Sequence, residues 1–187
     1  MPARAAPCRA FALLSALVLA APASAEESAG ATRVSVEVFT VGLPVSGGSL
    51  SFARREEELR RGANPDALSR AVAGRAARDV TFSHATSWRW EPDGRIVLTY
   101  LAWARDGSLV AGARPLPKLA PPGPTDPLHP RPAEIRELDP LAHGLRHVAF
   151  LLRTSHDGQV ARALGERSVA ALRRLDPNVA GELDAPR

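Results

Sequence analysis

The chain has 187 residues, of which 45% are hydrophobic and 24% charged, a balance that excludes a wholly disordered polymer and leaves enough apolar mass for a core. Its 24 basic and 20 acidic residues give a formal net charge of +4, but Arg4 and Arg9 stand in an N-terminal leader without acids; the remaining 22 basic and 20 acidic residues net only +2, which argues against a nucleic-acid partner. The single cysteine, Cys8, belongs to the same leader, so the chain after it has no disulfide and no cysteine-ligated metal.

The leader spans residues 1–25 and reads as a secretory signal peptide. The uncharged run Ala10 to Ala20 is eleven residues long, well short of the roughly 20 needed for a stable membrane span. Pro22 breaks it, and Ala23-Ser24-Ala25 supplies the small residues of a cleavage site. Cleavage leaves Glu26 first and places the product in the periplasm or outside the cell. The alternative is a misassigned start: the chain carries 23 arginines and one lysine (Lys118), a bias of GC-rich coding, and a true start near Val34 makes the protein cytoplasmic. The rest, 26–187, reads as one α+β domain behind a short polar lead-in at 26–32.

Val34, Val36 and Val38 alternate with Ser35 and Glu37, the period of a strand, which Pro44 and Gly47-Gly48 end. Residues 51–61 offer Glu56 to Arg60 and Glu57 to Arg61 at i,i+4, so this stretch is predicted to be an exposed helix stopped by Gly62. Asn64-Pro65-Asp66 starts a second helix, with a capping side chain, Pro at the first helical position and an acid in the first turn. Two aromatic and β-branched runs, Val80 to Trp90 and Arg95 to Ala104, flank Glu91-Pro92-Asp93-Gly94 and predict a β-hairpin. Both faces of the second run are apolar, as suits a strand covered on two sides. Leu109 to Ala113 reads as a short edge strand.

Eight prolines between 115 and 133 exclude a helix or an interior strand, so 114–133 reads as a Pro-rich loop wrapped on the domain. Asp139-Pro140 then opens a helix carrying Leu141, Leu145, Val148, Leu151 and Leu152, and a second helix follows with Val160, Leu164, Val169, Leu172 and Leu175 until Pro177. The expected fold is α+β: a small, mostly antiparallel sheet of three or four strands with a C-terminal helical pair.

Two groups of side chains carry chemistry. The first is His84, Trp88, Arg89, Trp90 and Tyr100 on the hairpin, where strict alternation puts His84 on one face with Phe82, Trp88 and Trp90; such aromatics serve either as core or as a platform on which a sugar or peptide stacks. The second is His143 and His147, four apart on one helix, the spacing of helical metal ligands, with His84, His129, His156 or Glu137 as a third donor. Gly144 stands where a zinc peptidase needs Glu, so that motif fails on its general base. Ser51, Ser83 and Ser87 lie in no nucleophile elbow, and Glu56, Glu57 and Glu58 read as a solvated helix face. The reading favours a non-catalytic exported binding domain without a cofactor, whose partner is a protein, a peptide or a small molecule. The alternative is a protein or enzyme that uses zinc or another divalent metal at His143 and His147.

Overall fold

The alternating valines form strand β1 (Val34–Gly42), and it lies at the centre of a five-stranded sheet. The computed structural model describes residues 32–44, 46–119, 135–156 and 158–177; the leader, the lead-in through 31, the Pro-rich stretch from 120 with His129, and the C-terminus from 178 with Leu183 lie outside the described residues. Strand order is β3-β4-β1-β2-β5, with β2 (Ser51–Glu58), β3 (Val80–Trp90), β4 (Ile96–Ala104) and a two-residue β5 (Arg114–Pro115). Helix α1 (Pro65–Ala76) covers one face, and α2 (Asp139–Thr154), α3 (Gln159–Leu164) and α4 (Glu166–Leu172) gather on the other. The class is α+β, and among the described residues no helix is long and apolar enough to cross a membrane.

Two element assignments are corrected. Residues 51–58 are a strand, not a helix: β1 returns through the Gly47-Gly48 turn and pairs antiparallel with β2, Phe39 opposite Arg54 and Glu37 opposite Glu56. Ladder pairing with an existing strand outweighs a helix propensity worth only tenths of a kcal/mol per residue. The sheet is mostly antiparallel, as expected, with one parallel pairing: β1 and β4 run side by side from Val34 beside Ile96 to Val41 beside Trp103, the crossover passing through α1. The edge strand is Arg114–Pro115 rather than 109–113; its donor-less proline is tolerated at the sheet's margin. The expected C-terminal helical pair is present, its second member divided into α3 and α4 at Gly165, whose φ of +86° only glycine adopts freely and whose added Cβ would lie 2.8 Å from Asp106 Oδ2.

Local signals for the other elements survive. Asn64 caps α1 by accepting from the amides of Asp66 (2.8 Å) and Ala67 (3.1 Å). The β3–β4 hairpin closes through Glu91 N–H to Arg95 O at 2.8 Å, with Gly94 at φ +78°. Leu141, Leu145, Val148, Leu164 and Leu172 pack on Phe39, Val41, Leu101 and Trp103, while Val72 and Ala73 of α1 pack on Val36, Val38, Tyr100 and Ala102.

Candidate functional site

Strand β3 is an edge of the sheet with an irregular ladder. Val80 opposes Ala104 but Phe82 opposes Trp103, and Ala85 opposes Tyr100 but Ser87 opposes Thr99, so Thr81 and Thr86 are extra residues in two β-bulges. Each bulge reverses the alternation that follows it. His84 opposes Leu101 and shares the face of α2, whereas Trp88 and Trp90 oppose Leu98 and Ile96 on the face of α1. The face expected to unite His84 with the two tryptophans is therefore divided at Thr86.

The five hairpin residues consequently serve different surroundings. Trp88 is 63% exposed and Trp90 44%, two positions apart on one side of the edge strand. Tyr100 is buried, donating to Asp66 Oδ1 at 2.6 Å; its burial, then that bond, pushes its ionisation upward. Arg89 points to the opposite face and donates to Glu37 Oε2 (2.7 Å), Thr99 Oγ1 (3.0 Å) and Glu91 Oε1 (2.7 Å).

Arg89 belongs to an ion network that alternation in the sequence does not disclose. Glu37 is 1% exposed yet charged: burial alone would raise its pKa, but Arg89 and then Arg54, which donates at 2.7 Å, hold it below the ordinary carboxylate range. Thr99 Oγ1 donates to the same carboxylate at 2.9 Å. Beside it Glu56 accepts from Ser35 Oγ at 2.7 Å and from Arg95. The visible trace of this network was the two-residue spacing of Arg54 and Glu56, a strand period that the i,i+4 pairs concealed.

The histidines meet differently from the expected helical pair. His143 and His147 are both buried on α2, but the nitrogen facing His147 Nε2 is His84 Nε2, at 3.1 Å. The two rings are near-parallel, 21° apart, and Phe82 and Phe150 flank them at centroid distances of 5.9 and 6.2 Å. Burial lowers the pKa of His84, partly countered by Asp66, so the ring favours its neutral form. Glu137 instead pairs with Arg114. Among the described residues no group of three or more His, Cys, Asp or Glu side chains is placed to hold a metal ion.

A groove of about 660 Å³ opens between the loop after β1 and the segment 107–115; among the described residues its walls hold serines, glycines and Leu109 but no charged side chain. The chain matches no family model, no curated protein and no solved structure.

Proposed function

We propose that the protein is an exported, non-catalytic binding domain that holds a protein, peptide or small-molecule ligand against Trp88 and Trp90. One observation carries this reading: two indoles stand exposed on the same side of an edge strand, held there by a bulge, while Trp103 is fully buried. Residues two apart on a strand stand roughly 6.6–6.8 Å apart, so the two rings offer a stacking surface longer than either alone. What these side chains offer is apolar area and ring faces rather than acid–base chemistry, which favours binding over catalysis. Export rests on the leader, with its uncharged run and its Ala23-Ser24-Ala25 site.

The test is a screen of soluble oligosaccharides and extended peptides against the wild type and the W88A/W90A variant. A ligand class captured by the wild type and lost by a variant with unchanged circular dichroism is expected; equal capture by both sinks the reading. Export is checked by sequencing the N-terminus of the native protein: Glu26 first is expected, whereas a start near Val34 refutes it.

A further inference from the structure

The His84–His147 contact joins strand and helix residues that are 63 apart in sequence, through ring nitrogens rather than apolar edges. A buried helix face covering a sheet ordinarily presents aliphatic side chains there, as Leu141, Leu145 and Val148 of α2 do. At His147 the same helix instead presents a nitrogen to another nitrogen. Two imidazoles can share this contact only if one supplies N–H and the other its lone pair. The spacing also meets a second condition: two nitrogens bound at about 2.0–2.1 Å to one tetrahedral ion stand roughly 3.3 Å apart. The observed 3.1 Å falls within a few tenths of an ångström of that separation, with both side chains already fixed by packing.

We propose that His84 and His147 form a binding site for a single divalent transition-metal ion, each ligating through Nε2. Imidazole donors suit zinc, copper and nickel rather than magnesium or calcium. The pair contributes two protein donors, one fewer than the open zinc sites of enzymes, and water or an incoming ligand fills the remaining positions. Ligation moves the shared proton: the ring that donates through Nε2 must carry its hydrogen on Nδ1 instead, leaving both rings neutral and releasing no net proton. His84 is half-buried and gives the ion a route from solvent, while Phe82 and Phe150 pack beside the two rings. His84, one of the third donors expected beside the α2 pair, supplies the nitrogen that meets His147. This site is independent of the reading of Trp88 and Trp90, which lie on the other face.

The test is calorimetric titration of the untagged full chain with Zn²⁺ and with Cu²⁺. One equivalent of each is expected to bind, Cu²⁺ the tighter, as the divalent series requires. H84N and H147N should each weaken binding at least tenfold, and H156N, at an exposed position beyond α2, should leave it unchanged. Equal binding by the wild type and the H84N/H147N double variant overturns the proposal. Should the variants fail to fold, nitrogen-15 spectra of the wild-type imidazoles decide it. Zn²⁺ must shift His84 and His147 together and leave both with hydrogen on Nδ1; unshifted rings at saturating Zn²⁺ refute the site.

Discussion

The face of the sheet that carries α2, α3 and α4 is covered in two ways. Along β1, Phe39 and Val41 lie beneath α2, α3 and α4 with Leu101 and Trp103, whereas Ser35 and Glu37, on the same face of the same strand, lie beneath arginines. The apolar half borrows helices from the end of the chain. The polar half is closed by the sheet's own arginines: Arg54 of β2, Arg89 of β3 and Arg95 of the hairpin turn before β4 reach across it, and their heads satisfy Glu37, Glu56 and Glu91. Three cations facing three anions let Glu37 and most of Arg89 be buried without an uncompensated charge, while Arg54, Arg95, Glu56 and Glu91 stay partly exposed around them. The comparison teaches that polar residues at a strand period need not face solvent. They can be an interior of their own when neighbouring strands supply the opposite charge.

Removing one charge from the polar half has the largest expected effect. E37Q leaves two guanidiniums, one of them only 11% exposed in its side chain, without their carboxylate. Loss of one partner from a buried pair costs about 3–5 kcal/mol, and because water still reaches Arg54 the lower end of that range is expected. Denaturant unfolding measures it. L101A, in the apolar half, should cost a comparable amount, about 2–5 kcal/mol, by leaving a cavity. Acid separates the two. Glu37 ionises at lower pH in the folded chain than in the unfolded one, so its contribution is complete above the ordinary glutamate range near pH ~4.3. As pH falls below that range the unfolded chain takes up the proton first, and the contribution is lost through the folded-state value. Melting curves should therefore show a steep acid loss in the wild type and in L101A but a shallower one in E37Q. An unchanged slope in E37Q would mean that Glu37 is not the titrating group.

Much of the frame was legible because its signals are local. Asn64-Pro65-Asp66, Glu91-Pro92-Asp93-Gly94 and Asp139-Pro140 each mark the start or turn of an element within a few residues, and each does so in the structure. What escaped reading depends on partners far along the chain. Glu56 to Arg60 mimics a helix pair, but the hydrogen bonds that make 51–58 a strand come from β1. The parallel register of β1 and β4 is set by the crossover through α1, and no residue of either strand announces it. The histidines were legible as candidates, and His84 as one of four third donors, but its direct contact with His147 was not, because a helix period relates His143 to His147 and only tertiary packing relates His84 to His147. The division of His84 from the tryptophans has the same origin, since it turns on one unpaired residue, Thr86.

Thr86 lies at the seam between helix and hairpin, where the smallest of these effects is expected. Its hydroxyl donates to Thr99 O at 3.3 Å, and its side chain packs against the backbone of α2 at Gly144. A Cβ added at Gly144 would stand 3.2 Å from Thr86 Oγ1 and 3.3 Å from its Cγ2. In an open helix interior, replacing glycine by alanine gains about 1 kcal/mol. Here that gain competes with overpacking, typically about 1–3 kcal/mol, against a threonine whose bulged backbone and hydrogen bond leave it little room to yield. G144A should therefore be destabilised by about 1 kcal/mol, where propensity alone predicts a gain. Because the bulge turns Trp88 and Trp90 away from α2, the same variant should change acrylamide quenching of the exposed indoles while Trp103 stays protected. A stabilised G144A with unaltered quenching would show that Thr86 yields freely, and that the display of the tryptophans is set within the hairpin rather than by the helix beneath it.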